Sequence, residues 1–185
     1  MFIQTEETPN PSTLKFMPGR AISPGDVRDY RKYEDARDSP LARRLFGVPG
    51  VVGVFLGDDF IAVTKGDREW PHLKPAVLGT IMEHFLSGAP VLGSDAPFGQ
   101  DKGESYDKGD ENIVKTIKEL LETRVQPAVA RDGGHISFRG FRDGVVFLDM
   151  QGACAGCPSS TATLKHGIET LLRHFIPEVS EVRPL

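Results

Sequence analysis

An α/β fold of the α+β kind, built as two small modules, is predicted by three features of the sequence. Two β-branched runs meet across Gly57-Asp58-Asp59, and two more meet across Asp143-Gly144, which gives one hairpin in each half of the chain. Amphipathic helical patterns flank both hairpins. Between them, residues 94–109 are rich in Gly, Ser and Asp, without apolar periodicity. The predicted organisation is therefore a first module over 1–93, a flexible linker over 94–109 and a second module over 110–185. Charge supports the division: 11 basic and 12 acidic side chains lie before the linker and 9 and 10 after it, while the linker itself carries 2 and 4. Two nearly neutral bodies flank an acidic tether.

In the first module, Pro9, Pro11 and Pro24 interrupt the early sequence. Val51–Leu56 and Phe60–Thr64 form the hairpin. A helix follows: Pro71 suits its first turn, and Leu73, Val77, Ile81, His84 and Phe85 recur at helical spacing up to Gly88. Trp70, the single tryptophan, is expected to anchor this core.

The second module is predicted as α-β-β-α-β. Ile113, Ile117, Leu120, Leu121 and Val125 share one helical face, with Lys115–Glu119 and Lys118–Glu122 spaced to pair outside, and Pro127 kinks or ends the helix. Asp132-Gly133-Gly134 turns the chain into a strand from His135 to Phe141, and Asp143-Gly144 reverses it into Val145–Gln151. Leu164, Ile168, Leu171, Leu172 and Phe175 trace a second helix closed by Pro177, and Val179–Arg183 adds a last strand. Two helices on one face of a small sheet bury both apolar stripes together.

The chain has two cysteines, and both lie in Cys154-Ala155-Gly156-Cys157-Pro158, at the predicted strand-to-helix corner. Pro158 fits a first helical position, and the unpaired N–H groups and dipole of that helix start favour negative charge, which is expected to lower thiolate pKa. A Cys-x-x-Cys pair suits a reversible disulfide or half of a four-thiolate metal site. A thioredoxin-like arrangement needs more strands than the 28 residues after Cys157 supply. Iron–sulfur clusters take four thiolates, and a twofold dimer placing both Cys154 and both Cys157 together completes the set. A dithiol redox protein using the same Cys-x-x-Cys and a zinc-bridged dimer using the same four sulfurs stay open at this point.

Other readings are limited by what the chain lacks. A net charge of −4 leaves no basic footprint for nucleic acid, and no apolar run is long enough for a membrane span. The N-terminus carries no targeting pattern, so a cytoplasmic, bacterial protein is expected. Gly47–Gly53 has the wrong spacing for a dinucleotide fingerprint, and no hydrolase elbow or Walker loop occurs. The five histidines are isolated from one another, Asp132-Gly133-Gly134 reads as a backbone device, and Ser159, Ser160 and Thr161 read as helix-start residues.

The segments Asp132-Gly133-Gly134, Gln151–Ser160 and Thr163–Glu169 closely resemble the C-terminal NifU domain, and Thr8–Phe16, Ser39–Ala42 and Asp59–Lys65 resemble the N-terminal domain of Nfu-type proteins. The resemblance covers almost the whole chain. It implies a non-enzymatic scaffold or carrier whose Cys154 and Cys157 are the ligand pair for a [4Fe-4S] cluster shared by a homodimer. It also implies upstream cluster donors and apo-protein acceptors as partners. The cysteine-rich scaffold and ferredoxin-like domains of full-length nitrogen-fixation NifU proteins have no counterpart here, so delivery to general enzymes fits better than a dedicated nitrogenase role.

Overall fold

The computed structural model describes residues 1–96, 103–155 and 158–185, with residues 158–160 described by backbone alone. The chain divides into two compact units, Met1–Gln100 and Asp101–Leu185. Both mix helices with a twisted sheet, as the fold class predicts.

The first unit holds a five-stranded antiparallel sheet in the order β1 (Gln4–Glu7), β2 (Thr13–Met17), β5 (Ile61–Lys65), β4 (Val51–Leu56) and β3 (Arg28–Tyr30). The β4–β5 hairpin is the one predicted, closed by a Gly57 N–H to Phe60 carbonyl bond of 2.9 Å. Its helices are α1 (Pro40–Phe46) and α2 (Trp70–Leu86). Leu73, Val77 and Ile81 of α2 pack with Leu41 and Leu45 of α1 against Phe16, Val54, Leu56, Ile61 and Val63 of the sheet. Trp70 is half-buried at the rim of this core, and its indole N–H donates to the Pro11 carbonyl at 3.1 Å.

Strands β1 to β3 and helix α1 were not predicted from sequence, although α1 carries a legible start signal. Ser39 is its N-cap, with Oγ accepting from the Ala42 N–H at 3.1 Å, and Pro40 occupies the first turn. The short β3 is held by charge instead of apolar pattern. Buried Arg28 pairs with Asp26 at 2.8 Å and Asp38 at 3.1 Å, and the Tyr30 hydroxyl donates to Asp38 at 2.8 Å.

His84, on the buried face of α2, is fully enclosed, with Nε2 3.1 Å from the Pro90 carbonyl. Burial, and then the charge of Arg44, hold its pKa below the ordinary 6.5. Above that value both folded and unfolded chains are neutral at this site. Below it the unfolded chain takes a proton that the folded unit resists, so stability is lost as pH falls from about 6.5. Thermal melts of the full chain between about pH 7 and 5 are expected to show a shallower acid limb for His84→Gln than for the parent; equal slopes contradict this role.

The second unit is a mixed four-stranded sheet in the order β6 (Ser105–Tyr106), β7 (Gly134–Arg142), β8 (Val145–Gly152) and β9 (Glu181–Pro184). The β7–β8 pair is the predicted hairpin, with Asp143 at φ 51° and Gly144 at φ 77°, the left-handed pair that a two-residue turn requires. Helix α5 (Pro158–Phe175) is the crossover between the parallel strands β8 and β9, and the Glu169 carboxylate on it accepts the Val182 N–H of β9 at 3.1 Å. Ile117, Leu120, Val125, Ile168 and Leu172 meet Ile136, Phe138, Val146 and Leu148 in one core.

The first helical region of this unit runs as α3 (Glu111–Leu120), a π-helical turn over Leu121–Val125, and α4 (Gln126–Arg131). Pro127 therefore does not end the helix. A widened turn precedes it and absorbs the hydrogen bond its ring nitrogen cannot make. Three more expectations change. Lys118 pairs with Glu104 instead of Glu122 at 2.5 Å. Phe175 is half exposed under the Arg124 guanidinium, and Ile176 fills the core instead. Part of the stretch read as a tether belongs to this unit, since Ser105–Tyr106 pairs in parallel with Gly140–Phe141. Residues 97–102 of that stretch lie outside the described residues.

Candidate metal centre

Two backbone turns build the corner that carries Cys154. The first ends α4: Gly133 donates to the Ala130 carbonyl at 3.0 Å and takes φ 81°, a left-handed conformation suited to glycine. The second follows β8, where Gly152 takes φ 70° and accepts the Ala155 N–H at 3.1 Å. A bond from the Ala153 N–H to the Gly133 carbonyl, 3.1 Å, laces the turns together. Cys154 sits on the second turn, above the first residue of β7.

That residue, Gly134, has no side chain because the cysteine fills its place. A Cβ at Gly134 would lie 2.5 Å from Cys154 Sγ and 3.0 Å from the Gln151 carbonyl oxygen. Cys154 is 7% exposed and joins the apolar core of the unit. Its carbonyl accepts the Thr161 hydroxyl of α5 at 2.9 Å.

The electrostatics reverse the sequence expectation. The start of α5 was expected to lower thiolate pKa, yet the Cys154 thiol is pushed up to about 11, first by burial and then by the negative charge of Asp132. A helix dipole acts on a group at the helix mouth. Cys154 is buried with the core of the unit, where the charged form loses its hydration and meets the field of the Asp132 carboxylate.

Of the two cysteines predicted as ligands, the structure places Cys154 at the corner; Cys157 lies outside the described residues. No group of three or more His, Cys, Asp or Glu side chains suited to a metal occurs among the described residues. His72, His166 and His174 are exposed, His135 is half-buried and His84 is in the other unit's core. The backbone reading of Asp132-Gly133-Gly134 holds for Gly133. The sequence reading missed the seat at Gly134 and the charge of Asp132, whose signal was a second glycine beyond the one a helix end needs. No helix among the described residues is long and apolar enough to cross a membrane.

Comparison with known proteins decides the family. Residues 3–88 match the family model described as scaffold protein Nfu/NifU N terminal, and residues 117–183 match the NifU-like domain. The chain belongs to the Nfu/NifU family. Among curated Nfu/NifU relatives, the human mitochondrial NFU1 iron-sulfur cluster scaffold homolog is 47% identical over 184 residues, covering 98% of this chain and 71% of that protein. NifU-like protein 4, mitochondrial, of Arabidopsis thaliana is 48% identical over 186 residues, covering 98% of this chain and 65% of its own length. This Nfu/NifU chain thus spans about two thirds of the relatives it matches. A solution structure of a NifU-like protein from Saccharomyces cerevisiae is 26% identical, with 51% of this chain and 87% of that one covered and a TM-score of 0.45. The names of the curated relatives correct one expectation: they are mitochondrial proteins of human and plant, which overturns the reading of a bacterial, cytoplasmic protein.

Proposed function

We propose that this chain is a carrier that binds a [4Fe-4S] cluster through Cys154 and Cys157 of two copies and hands it to apo-proteins, without turning over a substrate. The observation that carries the reading is the donor count. The chain owns two cysteine thiols, both lying between β8 and α5 along the sequence, against the four that a cluster requires. A homodimer joined at that corner supplies the set. The relatives' names support the cargo and a mitochondrial setting.

Ligation needs the thiolate, so loading displaces the Cys154 proton and draws the sulfur out of its buried place toward the second copy. An unloaded chain keeps that thiol covered. A cluster held between two chains, at a site each chain half owns, is open to competing acceptor thiolates. The first unit acts as a recognition or positioning body for donors and acceptors. Dithiol exchange initiated at Cys154 is disfavoured by its burial and raised pKa, because the attacking group must be an accessible thiolate.

The test is anaerobic loading with iron and sulfide, followed by incubation with an apo four-iron protein. The expected result is recovery of the acceptor's activity as the carrier's visible absorbance falls. A colourless protein holding about half a zinc per chain, or one that exchanges disulfides without metal, contradicts the proposal.

A further inference from the structure

Four threonines within the helices of this protein share a habit. Thr80, Thr116, Thr123 and Thr170 each donate to the carbonyl four residues back, the local bond that helical threonines make. Thr161, in the first turns of α5, departs from it by donating to the carbonyl of Cys154, seven residues back. That bond reaches out of the helix to the turn that carries the thiol. The cysteine's own sulfur fills the space over Gly134. Cys154 is therefore fixed at two points, its carbonyl by a hydroxyl and its sulfur by a glycine floor.

We propose that Thr161 is a positioning residue for Cys154, its hydroxyl tying the cysteine's carbonyl to α5 and so keeping the sulfur seated on Gly134 while no cluster is held. Loosening the carbonyl lets the turn pivot and carry the sulfur toward solvent. The consequence for cluster handling rests on the carrier function proposed above; the seating itself does not. Thr161 thereby sets the balance between a closed, protected thiol and an open, ligating one, and a weakened tie favours the open form.

The experiment uses the full-length apo chain under anaerobic reducing conditions at fixed pH, with iodoacetamide as probe. Modification at Cys154 is followed by mass spectrometry of the peptide, so that Cys157 is counted separately. Thr161→Val keeps the shape and removes the donor, whereas Thr161→Ser keeps the donor. The expected result is Cys154 labelling about fivefold faster in Thr161→Val, the population weight of one intramolecular hydrogen bond, with Thr161→Ser returning to the parent rate. Thr161→Ala serves if the valine variant does not fold, with folding of each variant checked by circular dichroism. Equal rates in parent and donor-less variants, or a serine variant as fast as valine, overturn the proposal. Loading separates the two readings: if no variant binds iron but the labelling rates differ as stated, the carrier function fails while the positioning role stands.

Discussion

Cys154→Ala leaves a folded chain that holds no stable cluster. Alanine removes one sulfur from each copy, so a dimer brings two thiolates to a cargo that takes four, and the described residues contain no other group of three or more His, Cys, Asp or Glu side chains suited to a metal. The structural cost is small. Cys154 is a compact buried side chain, and deleting its sulfur is comparable to deleting one methyl-sized group, about 1 kcal/mol. The effects therefore separate: melting of the apo chain shifts by a few degrees, whereas retained iron after desalting drops to background. Cys154→Ser repeats the loss of iron with a better-filled core. A Cys154→Ala dimer that keeps about two irons per chain contradicts the ligand assignment.

Gly134→Ala is expected to strike both stability and the protection of Cys154. The new Cβ meets Cys154 Sγ at 2.5 Å and the Gln151 carbonyl oxygen at 3.0 Å. The sulfur is a side-chain end and can swing away; the carbonyl belongs to β8, paired with β7 across the hairpin, and yields only by distorting that ladder. Overpacking of this kind costs about 1–3 kcal/mol. The displaced thiol loses its cover, so apo Cys154 becomes the faster-labelled residue and the chain oxidises sooner in air. Urea unfolding of the full chain gives the first quantity and peptide mass spectrometry the second. A variant as stable as the parent, with Cys154 equally protected, shows that the seat is not where the structure puts it.

How much of this was legible in sequence differs between the units. The second unit follows its apolar pattern closely, because local turn chemistry at Asp143-Gly144 and helical periodicity in α3 and α5 agree with the tertiary fold. Its departures have local causes, a π-turn absorbing Pro127 and Ile176 displacing Phe175 from the core. The first unit was read only from Val51 onward. Its early strands are short and broken by prolines, and β3 depends on Arg28, Asp26 and Asp38, residues whose pattern looks like solvent-exposed charge until the fold brings them together.

The site shows the same division. Two cysteines at one corner were visible in the sequence, since spacing and position are sequence properties. The state of Cys154 was not. Its burial, its shift to about 11 and its tie to Thr161 arise from Gly134, Asp132 and the first turns of α5, groups 7 to 22 residues away along the chain. A rule based on the nearest helix start predicts a lowered pKa, and it fails because burial, and then the Asp132 charge, push the thiol the other way.

The most direct test of the central claim is native mass spectrometry of the anaerobically loaded chain in a thiol-free buffer, with iron counted in the same sample. The account predicts a dimer carrying one four-iron cluster, about two irons per chain, with single chains free of iron. A single chain that holds a complete cluster without any external thiol contradicts it.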